Sequence, residues 1–427
     1  MKIRKRNKRN SARTSKKSSV GHGRMSPAQG ITAIKVIGVG GGGGNAVSRM
    51  MGGERLRGVE FIVANTDAQD LDYALAHKKI YMGRALTRGL GSGMNPDIGK
   101  QAAEENRSEI GEALDGADVV FVTAGMGGGT GTGASPVIAD IARERGILTI
   151  GIVTKPFSFE GTQRANAAQE GLLRLKDKVD ALVVIPNDRI FSVIEKDTSI
   201  AKAFSFVDEI LKNAVQGIAE LINSPGIINV DFADIRAIVK DAGTTLIGIG
   251  VGQGAERAAK AVAEAIHSPL LETSIEGAKG VLFSIAGSKD LKMTEINEVA
   301  KVISGSVDPS ARIIFGAYYD KKLKEKRIKV TVIATGFNGS AFGGAPKFEV
   351  PSLFGKSDEK KDRFLEDFYK EEEKAVVREV KSRDKGKEEK PEIKKQEKTP
   401  EAKGEKKGEK EESSAWDIPA FLRRKKK

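Results

Sequence analysis

The chain has 427 residues, 39% of them hydrophobic and 30% charged, with 49 Gly, no Cys and a formal net charge of +13. The missing Cys excludes a disulfide scaffold, thiolate metal centres and thiol catalysis, and only three His (His22, His77, His267) argue against a His-rich metal site or a Ser-His-Asp triad. A mean hydropathy of −0.31 comes without an apolar run near the roughly 20 residues that span a bilayer, and without an apolar stretch after the basic start, which predicts a soluble cytosolic protein.

The +13 suggests a nucleic-acid or anionic-membrane partner until it is located. Residues 1–30 carry ten basic side chains and no acidic one, residues 31–350 carry 37 basic and 38 acidic, residues 351–414 carry 19 of each, and residues 415–427 carry five basic and one acidic. The excess therefore lies on two tails, and the predicted folded body is nearly neutral. Segment 1–30, without aromatics, reads as a disordered basic arm. The Lys/Glu-rich stretch that follows the body cannot bury a core and reads as a flexible tether, a linker over 341–413. A terminal peptide, 414–427, ends the chain. It carries the only Trp in the apolar patch Trp416-Asp417-Ile418-Pro419-Ala420-Phe421-Leu422, ahead of the basic run Arg423–Lys427. An apolar cluster at the end of a polar tether is useful only when a partner binds it.

From Ile31 the pattern is α/β. The runs ITAIKVIGVG, VEFIVANTD, ADVVFVTAG, ILTIGIVT and ALVVIPND are β-branched, end in turns and alternate with helical periodicities. Runs without polar alternation suit strands covered on both faces, hence a parallel sheet between helices. A long helix is predicted over 200–222 from Val207, Ile210, Leu211, Ala214, Val215, Ile218, Leu221 and Ile222, and Asn223-Ser224-Pro225-Gly226 stops it. Then come TTLIGIGVG, a helix near 255–267, GVLFSIAGS, a helix near 293–304, ARIIFGAYYD and RIKVTVIATGF, a second and smaller α/β unit.

Two glycine stretches carry the chemistry. Gly38-Val39-Gly40-Gly41-Gly42-Gly43-Gly44-Asn45 follows the first strand and satisfies G-x-G-x-x-G, which admits either a tight strand–helix turn or a dinucleotide-binding loop. A Walker-type P-loop is not indicated, because no Lys-Ser or Lys-Thr follows. Gly125-Met126-Gly127-Gly128-Gly129-Thr130-Gly131-Thr132-Gly133 follows another strand and leads into a helix, with Ser135-Pro136 placed in its first turn. Its amides and two hydroxyls form a row of donors for phosphate oxygens. Two such loops, each at a strand's C-terminal end, point to a polyphosphate held between them.

GGGGGNAV, NTDAQ, AGMGGGTGTG, the stretch Pro156–Arg164, IPND and NVDFAD, in this order and spacing, resemble the FtsZ family of tubulin-like GTPases over residues 31–337, and DIPAFLRR resembles its terminal peptide. The resemblance implies a tubulin/FtsZ-like α/β fold. A Rossmann-like GTP-binding domain would span 31–199, with a central helix over 200–223 and a smaller α/β domain over 224–340. It implies that Gly41, Gly42, Gly43, Gly44, Asn45, Gly128, Gly129, Thr130, Gly131, Thr132 and Gly133 form the phosphate side of a GTP site. Glu160 and Arg164 would meet ribose and phosphate, Asn187 and Asp208 guanine, and Phe204 would stack on the base. A carboxylate can accept both the N1 and N2 protons of guanine, which adenine does not offer; read alone, Phe204 and Asp208 would pass as a core aromatic and an exposed helix charge.

Read alone, Asp231 and Asp234 are helix-start charges. By the resemblance, Asn229-Val230-Asp231-Phe232-Ala233-Asp234 is a loop that enters the nucleotide pocket of the next subunit. There Asp231 and Asp234, with Asn229, would orient the water that attacks the terminal phosphate, with Mg²⁺ on the phosphates. The implied activity is assembly-dependent hydrolysis of GTP to GDP by head-to-tail filaments of a cytoplasmic division ring. The terminal peptide would dock membrane adaptors and division regulators, so that the membrane is met only indirectly. The alternative is a filament scaffold with little hydrolysis; a Rossmann oxidoreductase and a principal nucleic-acid role fit the second loop and the neutral body poorly. Some positions depart from the family: Asp70 after NTDAQ, Ser92 and Met94 where it usually has Ala, and Lys240 before Asp241. The basic arm is also longer than usual.

Overall fold

The structure, a computed structural model, describes residues 32–52, 56, 58–195, 197–223, 226–268, 274–320 and 323–337. The basic arm, the charged linker and the terminal peptide lie outside the described residues.

The first half runs β1 (Ile34–Val39), α1 (Gly40–Gly52), β2 (Val59–Asn65), α2 (Ala68–Tyr73), β3 (Lys78–Tyr81), α3 (Arg84–Thr87), α4 (Pro96–Glu105), α5 (Arg107–Leu114), β4 (Val119–Gly125), α6 (Gly129–Glu144), β5 (Leu148–Lys155), α7 (Thr162–Lys176) and β6 (Ala181–Pro186). The long helix α8 (Ile200–Asn223) follows. After it come α9 (Phe232–Val239), β7 (Gly243–Gln253), α10 (Arg257–Ile266), β8 (Gly280–Gly287), α11 (Met293–Gly305), β9 (Arg312–Tyr319) and β10 (Arg327–Thr335).

One ten-stranded sheet has the order β3-β2-β1-β4-β5-β6-β7-β10-β8-β9. Strands β1 to β6 pair in parallel, as their unbroken apolar runs require, and β1, β2 and β4 are almost wholly buried. The second half, expected as a smaller α/β unit with no strand direction assigned, is mixed. Strand β10 inserts between β7 and β8 and is antiparallel to both, while β8 and β9 are parallel. Burial explains why the sequence hid this: every residue of β8 is buried, so its composition matches that of a parallel strand. The two halves of the sheet are joined by a two-residue ladder, Ala181 to Gly243 and Leu182 to Thr244.

Helix α8 does the rest of the joining. Its buried face, Leu211, Ala214, Val215, Ile218 and Leu221, belongs to one apolar core with Ile34, Phe121 and Ile150 of the first half and Ile235, Leu282 and Ile333 of the second. Near its C-terminal end Glu220 accepts hydrogen bonds from Lys329 Nζ at 2.8 Å, Tyr318 Oη at 2.9 Å and Gln216 Nε2 at 2.6 Å, which pins the helix to β9 and β10. Among the described residues no helix is long and apolar enough to cross a membrane.

Candidate functional site

The parallel strands β1 and β4 both deliver glycines to the C-terminal edge of the sheet, where helices start at once. Helix α1 begins at Gly40 and α6 at Gly129, so both glycine stretches form first turns of helices. Helix α6 therefore starts earlier than the sequence suggested, and Pro136 lies inside it. Ser135 helps that turn by donating from Oγ to the Gly131 carbonyl at 2.6 Å. Glycine is a poor helix former, and packing overrides the preference: a Cβ on Gly133 would lie 1.9 Å from the Pro96 carbonyl oxygen of α4. Two helix N-termini, with their free N–H groups and positive dipole ends, thus converge on one cavity of about 640 Å³.

That cavity gathers most of the residues expected from the sequence: Gly41, Gly42, Gly44, Asn45, Gly128, Gly129, Thr130, Gly131, Glu160, Arg164, Asn187, Phe204 and Asp208 line it. Three others lie behind the lining. Gly43 packs under the turn, where a Cβ would be 2.3 Å from the Thr123 carbonyl oxygen. Thr132 is buried and its Oγ1 accepts from the Gly127 N–H at 2.8 Å, bracing the loop from within, and Gly133 lets α4 close against α6. Asn229, Asp231 and Asp234 do not line this cavity.

From α8, Phe204 and Asp208 line the cavity, and Asp208 faces α1. The Phe204 ring meets Phe157 edge-on with centroids 5.3 Å apart. Asp208 is neither exposed nor unpaired: its Oδ2 accepts from Arg49 Nε at 3.1 Å, and the side chain is 13% exposed. Burial pushes the Asp208 carboxyl up to about 6, although the Arg49 guanidinium beside it pulls the other way. Glu160 is held by Arg164 at 3.1 Å and by the Phe157 N–H at 2.8 Å. Asn187 is buried and its side-chain oxygen has no partner among the described residues, a polar atom on the cavity wall left for a ligand to satisfy.

The sequence reading assigned no role to Arg49, although it falls one helical turn after Asn45. It also passed over Asn65 and Asp67 inside the quoted NTDAQ motif. Asn65 Oδ1 turns the chain at the end of β2 by accepting from the Thr66 N–H at 2.8 Å, and Asp67 caps α2; both line the cavity. Among the described residues no group of three or more His, Cys, Asp or Glu could by itself hold a metal ion.

The segment 229–234 lies on the second half of the molecule. An antiparallel bridge between Ile228 and Ala317 of β9 anchors it, and Asn229 Oδ1 accepts from the Gly226 N–H at 2.6 Å. Asp231 occupies the N-cap position of α9, yet its carboxylate makes no capping hydrogen bond. Asn229 and Asp231 are exposed and Asp234 is half-buried. The sequence-only reading as a helix start is right about position, and the exposed carboxylate of Asp231 is left free of that task.

A parallel sheet whose strand ends feed two glycine first turns into a single cavity, with a long helix walling the other side, defines a nucleotide-binding module of the tubulin type. The models of known families agree: residues 33–195 match the tubulin/FtsZ family GTPase domain and residues 243–338 the FtsZ family C-terminal domain. The chain belongs to the FtsZ family. It is 46% identical to an FtsZ solved as an empty dimer from M. jannaschii, covering 71% of this chain and 88% of that one with a TM-score of 0.67. It is 45% identical to a mutant FtsZ from the same organism, over 72% and 92% of the two chains with a TM-score of 0.68. CetZ2 from Haloferax volcanii, solved as a GTPγS-bound protofilament, shares the fold at 21% identity, over 71% and 92% with a TM-score of 0.62.

Proposed function

We propose that this chain is a self-assembling GTPase whose active site is completed between subunits. The observation that carries this reading is a division of labour within one chain. The cavity holds donors, an aromatic ring and the Asp208 carboxylate, whereas the candidate water-orienting groups Asn229, Asp231 and Asp234 stand outside it on the second half. Phosphoryl transfer through a loose transition state needs a positioned water and compensated charge more than covalent help. A copy stacked head-to-tail would bring those carboxylates to its neighbour's terminal phosphate, with Mg²⁺ carried on the phosphates and contributing charge neutralisation. The solved relatives include an FtsZ dimer, which supports self-association of this chain.

GTP turnover per molecule should therefore rise steeply above a threshold protein concentration, together with light scattering. Flat turnover per molecule across that range overturns the proposal, and filaments without phosphate release would favour a non-hydrolysing scaffold.

Asp208 supplies a second test. Guanine binding through two accepted protons needs the carboxylate, so affinity for GDP should fall as the pH drops through about 6. The stability of the nucleotide-free protein runs the other way. Because the folded value lies above that of an unfolded Asp, ~3.9, this group's contribution is fully present below that pH and fades as the pH rises through about 6. GDP titrations and urea denaturation across this range check both signs, and Asp208→Asn should flatten both.

The wider organisation follows the same reading. The polymer would form the cytokinetic ring in the cytoplasm, tethered by the linker over 341–413. The peptide Asp417–Leu422 would dock membrane adaptors and regulators. Deleting 414–427 should leave GTP turnover intact while abolishing capture by such an adaptor.

A further inference from the structure

The joint between the two halves of the sheet is narrow, and Arg143 in the last turn of α6 stands beside it. Its Nη1 donates to the carbonyl of Asp177, just past α7, at 3.0 Å; its Nη2 donates to Asp241 Oδ1; and its Nε lies 3.9 Å from Asp180 Oδ1. Asp180 is buried just ahead of β6, where its Oδ2 accepts from the Thr149 N–H at 2.8 Å and its Oδ1 from the Asp241 N–H at 3.4 Å. The first half therefore holds Asp241 twice, by main chain and by carboxylate. Asp241 lies in the turn that leads from α9 into β7. A second arginine crosses the joint in the opposite direction: Arg236 of α9 donates from Nη2 to the carbonyl of Gly146, just past α6, at 3.2 Å.

What these contacts fix is direction. The apolar face of α9, Ile235, Ile238 and Val239, is buried in the shared core, but apolar burial is non-directional and sets depth more than tilt. The hydrogen bonds to Asp241 set the tilt. Helix α9 has eight residues and is about 12 Å long, so tilting it by about 5° about its C-terminal end moves Asp231 and Asp234 at its start by about 1 Å. A misplacement of that size costs up to ~100-fold in rate. Stability has less at stake. The Arg143 and Asp241 side chains are 38% and 58% exposed, and so exposed an ion pair contributes little to folding.

We infer that Arg143 is a positioning residue for hydrolysis: through Asp241 it fixes the tilt of α9 and with it the place of Asp231 and Asp234. This rests on the proposed role of those two carboxylates and brings to it a residue from the other half of the chain.

Asp241 offers a test variant that folds. Its φ of 53° lies in the left-handed region that glycine adopts freely, so Asp241→Gly keeps the turn and deletes the carboxylate. In sedimented polymer of the full-length chain, GTP turnover should fall about tenfold in Asp241→Gly and in Arg143→Gln. The melting temperature of Asp241→Gly should be no lower than that of wild type, and its GDP affinity and assembly threshold should match wild type. Because the two changes break one shared contact, the double variant should be no slower than Arg143→Gln alone. Arg143→Lys, which keeps the charge and a donor, should recover part of the turnover. Wild-type turnover in Asp241→Gly overturns the inference, and so do losses that multiply in the double variant. A wild type that assembles without releasing phosphate overturns the hydrolysis reading instead, and the inference falls with it.

Discussion

Asp234→Ala is expected to reduce GTP turnover in assembled protein at least about a hundredfold, the usual scale for losing a group that orients a reacting water. Nucleotide binding and assembly should persist. The reasoning is positional. Asp234 is half-buried in the first turn of α9 and borders no part of its own chain's cavity, so its loss leaves that cavity's lining untouched. Its structural contribution is that of an acid at a helix N-terminus, about 0.3–1 kcal/mol, too little to unfold the domain. Phosphate release, sedimentation and GDP affinity measured on the same preparation separate these terms. A variant that turns over GTP within a few-fold of wild type removes Asp234 from the chemistry. A mixing experiment adds a sharper readout: an assembly-competent variant with an intact cavity should acquire turnover when wild-type copies supply their 229–234 segments.

Gly133→Ala should cost about 3 kcal/mol of stability, at the upper end of what overpacking does, and should also loosen nucleotide binding. The added methyl carbon would lie 1.9 Å from the Pro96 carbonyl oxygen and 2.7 Å from the Lys100 nitrogen, both main-chain atoms of α4 that cannot swing aside as a side-chain tip could. Relief requires α4 and α6 to part, and α6 carries Thr130 and the first-turn amides at its start. Gly52→Ala is the matched control: a Cβ there meets nothing within 4 Å, so stability should be unchanged or slightly higher. Urea denaturation of the two variants decides, and a Gly133→Ala protein as stable as Gly52→Ala would refute the packing account.

How much of this was legible in the sequence depends on how far each feature reaches along the chain. Helix α8 was, because eight apolar positions keep helical period over many turns and a Pro-Gly pair follows. The glycine stretches were, because position, composition and repetition agree. Strand β3 was missed: Lys78–Tyr81 is four residues long, and Ile80 is its one fully buried side chain. The antiparallel place of β10 was missed because strands covered on both faces lose the alternation that betrays direction. At the site, Thr132 and Gly133 read as lining because spacing shows that a loop is tight, not which of its faces meets the cavity. Arg49 offered only its place one helical turn after Asn45; its partner Asp208 is 159 positions away. Ser92 was visible as a departure from the family, but its contact with Thr130 needed α6 brought alongside it.

On the proposed reading, the first turns of α1 and α6 present the phosphate end of the cavity largely as main chain. A peptide N–H is encoded by every codon except those for proline, so no exchange other than one to proline deletes it. Inherited variation can reach this end of the site only by adding bulk, and the backbone contacts around Gly43, Gly129 and Gly133 make added bulk expensive. Change should accumulate instead where, on that reading, side chains do the recognising, at Arg49, Phe204 and Asp208. A competitive inhibitor that draws its affinity from the amides would therefore leave the cell few routes to resistance, whereas one built around the base pocket would leave many.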